Sequence, residues 1–366
     1  MKLKNIFVIL IISLFTSCED GCFLGVIGPC DEDEQIEIED VIGDPANATF
    51  NVLVRDINTS QSPSNTIPAN SNTIEVYFKL NDIDGNPVPN KTENFFEIYE
   101  KPQSNSSFNL ISVNEAFRKI DPDKADFKYF NTIVLDLSGS VIQNNLEQLK
   151  MATSSFVQNI YGQVNAENLF TSILWFDGNQ NISIFQNFTA DEDLLQQKIQ
   201  EINDTLPSDQ STNLNGAIIQ SINYTIQEVN SQSQFITGGS ILFFTDGTDQ
   251  ANFNTTNEAL SIVNNANLQG LDIYSVGLGN EIDQNILSQV GYSGSFFPED
   301  SDQLEEEFTS VAQEIENEAN SFYLLQYCTP KRNGGNILRI GISNEISIGG
   351  EASFNASGFQ DNCTIE

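Results

Sequence analysis

The sequence predicts an α/β fold, a doubly wound and mostly parallel sheet wrapped by helices, with antiparallel β segments flanking it along the chain. Three observations predict it. From Phe130 onward the apolar runs IVLDL, LFTSILWF, SILFFT and DIYSVGL have the length and composition of strands buried on both faces, and stretches of helical periodicity separate most of them. Before this region, TFNVLVRDI, TIEVYFKLNDIDGNPVPN and FFEIYEK alternate with period two and are parted by turn residues. After it, SFYLLQY, NILRIGIS and EASFNAS return to the same alternation.

Taken in order, the N-terminal β segment spans residues 48–128, and its DIDGN stretch reads as a hairpin turn. Asp82, Asp84 and Asn86 also have the spacing of the start of a calcium loop, but the later ligand positions are missing. The α/β region spans 129–319. Its helices include LEQLKMATSSFVQNI, LNGAIIQSINYTIQEV and a closing DQLEEEFTSVAQEIENEA, and NISIF after the DGNQ turn adds one antiparallel edge strand. Residues 320–366 form the C-terminal β segment. The two β segments are read as one β-sandwich into which the α/β region is inserted; the alternative is two unrelated small β domains.

The chain begins MKLKNIFVILIISLFTSC, two lysines and an apolar run too short to span a bilayer, which reads as a cleaved export signal over residues 1–17. Leu14 to Ser17 before Cys18 resemble a bacterial lipobox, which implies cleavage before Cys18 and a lipid on its thiol. The alternative is an ordinary signal cut nearby, with Cys18 in a disulfide. Residues 18–47 read as an acidic tether, DEDEQIEIED being too poor in core material to fold. Glu19 and Asp20 resemble the acidic export signals of Bacteroidota surface lipoproteins. With Cys18 lipidated, Cys22, Cys30, Cys328 and Cys363 remain, an even set in an exported chain; Cys22 with Cys30 and Cys328 with Cys363 is the simplest pairing, though sequence does not settle it. The expected location is the outer membrane, lipid-anchored and surface exposed, with the periplasmic face or secretion as alternatives.

Formal charge is −36, and removal of Lys2 and Lys4 with the leader takes it to −38. Such a surface repels nucleic-acid phosphates and anionic head groups and attracts divalent cations. Nucleic acid is therefore excluded as a partner, and membrane contact is expected only through the N-terminal lipid. The sequence has no histidine, which excludes zinc sites and Ser-His or Cys-His catalysis.

The strand IVLDL runs directly into Ser138, Gly139 and Ser140. In a doubly wound sheet the carboxyl ends of the strands line the ligand crevice, so Asp136, Ser138 and Ser140 stand where a ligand binds, with Asp136 expected at a solvent-facing strand end. A carboxylate and two hydroxyls are hard donors suited to Mg²⁺, Mn²⁺ or Ca²⁺. Thr212, at the start of a later helix, and Asp246, at the end of ILFFTDG, supply further oxygens on the same edge. Asp249 reads either as an outer acid of this site or as a solvated loop residue. Helix capping is the competing reading for the two serines.

DLSGS, STNLNGA and FFTDG resemble the three metal loops of a von Willebrand factor type A domain, over roughly Phe130 to Ala319. The resemblance implies a metal-ion-dependent adhesion site with Asp136, Ser138 and Ser140 in the first loop, Thr212 in the second and Asp246 in the third. Ser211 departs from the glycine-rich approach common in relatives. The function implied is a binding module whose divalent cation takes a carboxylate from a protein ligand. The alternatives are a structural or assembly component of an envelope complex and, less in keeping with the residues, a hydrolase; the chain is read as not being an enzyme.

Overall fold

The computed structural model describes residues 50–61, 67–121, 127–162, 168–207, 209–232, 236–343 and 345–365. The leader, Cys18, Cys22, Cys30 and the acidic tether lie outside the described residues. Strands β1 (Phe50–Thr59), β2 (Thr73–Asp82), β3 (Phe96–Pro102), β4 (Asn109–Ile111) and β5 (Arg118–Asp121) precede the α/β region. That region runs β6 (Phe127–Asp136), α1 (Gly139–Asn144), α2 (Leu146–Tyr161), β7 (Leu169–Phe176), β8 (Ser183–Thr189), α3 (Glu192–Glu201), α4 (Leu214–Ser231), β9 (Ile236–Thr245), α5 (Thr256–Leu268), β10 (Asp272–Gly277), α6 (Gln284–Val290), β11 (Gly294–Phe296) and α7 (Leu304–Ala319). Strands β12 (Phe322–Cys328), β13 (Gly335–Ile342) and β14 (Glu345–Asn355) follow.

The central sheet has the order β11-β10-β9-β6-β7-β8. All its pairs are parallel except β7 with β8. Its strands are apolar on both faces because both faces are covered. On β6, Ile133 and Leu135 enter a core with Leu149 and Phe156 of α2 and Phe308 and Val311 of α7. Val134 between them enters the opposite core with Ile218 of α4 and Val263 of α5. The chain first builds outward from β6 through β7 to β8, then crosses to β9 on the other side. The carboxyl ends of β6 and β9 therefore flank the topological switch point.

Two four-stranded antiparallel sheets, β1-β2-β12-β5 and β14-β13-β3-β4, take strands from both flanking segments. They share one core, in which Val76, Phe78, Tyr323 and Leu325 of the first sheet meet Phe96, Ile98, Leu338 and Ile340 of the second. Phe78 stacks on Tyr323 and meets Phe96 edge to face. DIDGN is a tight turn: Asp82 accepts from the backbone N–H groups of Asp84 and Asn86, and Gly85 takes a positive φ of 94°. Only a single bridge, Asn81 with Pro87, continues the pairing beyond it.

β2 is buried along nearly its whole length because its second face is covered as well. There Lys79 forms an ion pair with Glu318 in the last turn of α7, both side chains being almost wholly buried. Cys328 and Cys363 form a disulfide, with Cα atoms 5.6 Å apart. It closes a loop of 35 residues, so chain entropy makes it worth about 3–4 kcal/mol. Replacing both cysteines by alanine should lower the unfolding free energy by that order, measured by guanidinium denaturation. An unchanged midpoint would show that the C-terminal strands are held without it.

Candidate metal centre

The first loop begins where β6 ends. Asp136 is the last residue of β6, and the residues after it must turn upward into α1. Leu137 N–H is held by the Phe176 carbonyl of β7, and Gly139 N–H by the Gln210 carbonyl of the second loop. Gly139 has to be glycine there: a Cβ would stand 2.9 Å from Cβ of Gln210. The second loop is held in turn by Asp177 at the end of β7, whose carboxylate accepts from Asp209 N–H and whose carbonyl accepts from Asn213 N–H. Ser211, the departure from the family pattern, is accommodated by a local turn in which its N–H and hydroxyl both donate to Asp209. Thr212 stands just before α4, and Asn213 is the residue that caps the helix, accepting from Gly216 N–H at 3.1 Å.

These loops bring the five sequence-selected residues together. Ser140 Oγ donates to Asp246 Oδ1 at 2.7 Å, joining the first loop to the third across 106 residues. Asp136 accepts from Ser138 N–H at 2.8 Å and from Thr245 Oγ1 at 2.6 Å. Thr212 is buried, with its Oγ1 3.6 Å from where a Cβ of Gly247 would be. Its carbonyl accepts from the backbone N–H groups of Gln250 and Ala251, which ties the second loop to the third.

Asp136 does not face solvent. It is completely buried, because the loops after β6, β7 and β9 close over the strand end. Asp249 is neither a free loop residue nor aimed at the cluster: its carboxylate accepts from Asn215 N–H in the first turn of α4 and from Asn252 N–H. The capping explanation of the serines also fails for Ser138. It occupies the N-cap position of α1, yet its side chain makes no cap hydrogen bond. Its hydroxyl lies beside Asp136, is buried, and has no hydrogen-bond partner of ordinary geometry among the described residues.

A buried hydroxyl without a partner is costly, and a neighbouring buried carboxylate more so. Burial pushes the Asp136 carboxyl up to about 7, against the hydrogen bonds from Thr245 and Ser138, and the charge of Asp246 adds to the rise. Asp246 is also raised, by burial first and by the charge of Glu281. Both carboxyls thus lack positive charge. Thr245 and Glu281 were not singled out from sequence; the position of Thr245 just before Asp246 in FFTDG was the available signal. Among the described residues no group of three or more carboxylates, cysteines or histidines could hold a metal, so a cation here would depend on hydroxyls as well as acids.

This sets a pH dependence for the metal-free protein. In the unfolded chain Asp136 ionises near 3.8, and in the folded protein near 7, so between these values the folded state holds a proton that the unfolded chain has lost. Stability from this group is full below about pH 4 and is lost as pH rises toward 7. Urea midpoints in chelator at pH 5 and pH 8 should differ less for Asp136→Asn than for the wild type. Equal slopes would mean that Asp136 ionises normally.

The profile of the von Willebrand factor type A domain family matches residues 132–310. Residues 132–310 are a von Willebrand factor type A domain. Among solved structures, the type A domain here is similar to BatB from Bacteroides thetaiotaomicron, with 17% identity and a TM-score of 0.41 over 53% of this chain and 100% of that one. A von Willebrand factor type A protein from Catenulispora acidiphila is 9% identical, with a TM-score of 0.44 over 85% of this chain and 75% of that one. Manganese-loaded Plasmodium vivax TRAP protein is 9% identical, with a TM-score of 0.43 over 66% and 98%. No curated protein sequence matches the chain.

Proposed function

We propose that this protein is a metal-dependent binding module of the cell envelope, in which Asp136, Ser138, Ser140, Thr212 and Asp246 hold a divalent cation, Mg²⁺ or else Mn²⁺ or Ca²⁺. The observation that carries the reading is the Ser138 hydroxyl, buried beside the buried Asp136 carboxylate at a helix start where it does not cap, with no hydrogen bond of ordinary geometry to satisfy it among the described residues. A hard cation completes both groups. Two acids and three hydroxyls do not fill an octahedral shell by themselves as strong donors, so the cation retains a position for an outside oxygen. A carboxylate from a protein partner suits it, since the cation offsets the repulsion that a chain of charge −36 exerts on an acid.

Adhesion fits these residues better than hydrolysis. Ser140 donates to Asp246, but a carboxylate is too weak a base to make an alkoxide of serine at neutral pH. The leader, the lipobox-like residues before Cys18 and the acidic tether support attachment to the outer membrane by lipid, facing outward. No helix among the described residues is long and apolar enough to cross a membrane.

Capture of envelope proteins on the immobilised chain, in Mg²⁺ and in chelator, tests the function. Partners released by chelator support the reading; partners retained equally in both would favour a constitutive assembly component. Ser138→Ala isolates the metal role. With no cap bond to lose, this variant should unfold at the wild-type urea concentration in chelator, while its Mg²⁺ affinity falls several-fold by calorimetry. A loss of stability with unchanged affinity would return Ser138 to a structural role.

A further inference from the structure

The loop that follows Asp246 is bonded to the Thr212 carbonyl and carries a half-exposed apolar residue, Phe253. Of the large apolar residues that are well exposed among the described residues, Leu53, Ile83, Leu110, Val113 and Phe117 lie on the flanking sheets and their loops, Met151 on α2, Ile184 on β8, and Leu268 at the far end of α5. Ile184 lies near the carboxyl end of β7 but on the edge strand, whereas Phe253, 49% exposed, stands on the loop that is bonded to Thr212. A lone exposed apolar residue is ordinary on a protein surface. Phe253 differs from the others in place and in how it is held.

The segment 247–255 is bound at nearly every residue. Gln250 and Ala251 donate to the Thr212 carbonyl, Asn252 N–H donates to Asp249 Oδ2 at 3.0 Å, and the Asn254 carbonyl accepts from Asn215 Nδ2 at 3.0 Å. Asn252 is held at a φ of 55°, the left-handed region, and this reversal immediately precedes Phe253. Thr255 then starts α5 with a reciprocal cap to Glu258. The ring is thus presented by a backbone whose ordering entropy has been met within the fold, and two residues before it the chain is bonded to Thr212 itself. A side chain so placed loses little freedom when a partner covers it.

We infer that Phe253 is the specificity contact of this face, and that the partner is a protein segment carrying one carboxylate with an apolar residue close beside it. The inference rests on the metal-binding reading above. Charge argues for the same partner: Asp246 and Glu281 at the edge and the acidity of the whole chain disfavour a polyacidic segment, so attraction beyond the single metal bond has to come from apolar contact.

Synthetic peptides on an array provide the test. Each has one central Asp or Glu, flanked within two positions either by Leu or Phe or by Ser, and is probed with the full chain in MgCl₂. The wild type should retain the apolar-flanked set on the order of tenfold better, the worth of burying half a phenylalanine ring. Phe253→Ser should lose that preference while its calorimetric Mg²⁺ affinity and its binding of Ser-flanked peptides stay unchanged. Mg²⁺-dependent retention without preference, or a preference that survives in Phe253→Ser, would overturn the role of Phe253 and leave the metal reading intact. Failure of the Mg²⁺-loaded wild type to retain any acidic peptide would overturn both.

Discussion

Asp136→Ala is expected to abolish Mg²⁺ uptake, read as the disappearance of the calorimetric binding isotherm. Asp136 is the one fully buried carboxylate of the cluster, and its removal leaves Asp246, itself engaged by Ser140, and neutral hydroxyls that bind a hard cation poorly. The fold should survive the change, for a reason different from simple exposure. Burial disfavours the Asp136 charge, so deleting it removes a cost along with two hydrogen bonds, and the metal-free variant should be about as stable as the metal-free wild type above neutral pH. The Thr245 hydroxyl that bonded Asp136 still has the Gly247 carbonyl 3.4 Å away. Thr212→Ala and Asp246→Ala should weaken the isotherm without erasing it. Undiminished Mg²⁺ binding by Asp136→Ala would place the metal, if any, elsewhere.

Lys79→Met should be the most destabilising single change outside the apolar cores, by about 3–5 kcal/mol in guanidinium denaturation. Lys79 is the cation that faces Glu318 at the end of α7, and its ammonium also stands 5.6 Å from the Phe322 ring at the start of β12. Without it Glu318 would be a buried anion beside Asp272. Burial and the Glu318 charge already push Asp272 up to about 7, although Lys79 works against that rise. Adding Glu318→Gln should recover most of the loss, because it removes the uncompensated charge. A double variant as unstable as Lys79→Met would show that packing of the lysine stem, and not its charge, holds β2 against α7.

The long elements were legible because their period survives over many residues. Strands β6, β7, β9 and β10 read as unbroken apolar runs since helices cover both faces of the sheet, and α2, α4 and α7 carried the 3.6-residue period. The reading of NISIF as an antiparallel edge held for β8, which starts two residues later, at Ser183, and runs on to Thr189. The short pieces were not legible: β4, β5 and β11 have three or four residues, and α1 six, too few to show any period. Cys328 and Cys363 could be suspected of pairing from their count, but only the meeting of the end of β12 and the C-terminal end of the chain beside Thr73 at the start of β2 puts their Cα atoms within bonding range.

Sequence by itself determined the chemistry available to this protein. It has hard oxygen donors in three loops, no imidazole, and a charge that favours cations, because these are properties of residue types and their order along the strands. Tertiary structure decided the electrostatic state of those donors. Asp136 sits at a strand end, which by sequence reads as exposed, and becomes buried only because Gly139 lets the second loop approach the first, while Gln250 and Ala251 draw the third loop onto Thr212. The same holds for Lys79 and Glu318, which are 239 residues apart and become a buried pair only where the second face of β2 meets the end of α7. Solvent exclusion is a property of segments that meet in space, so neither the raised carboxyl of Asp136 nor the stranded hydroxyl of Ser138 is written in any local stretch of the chain.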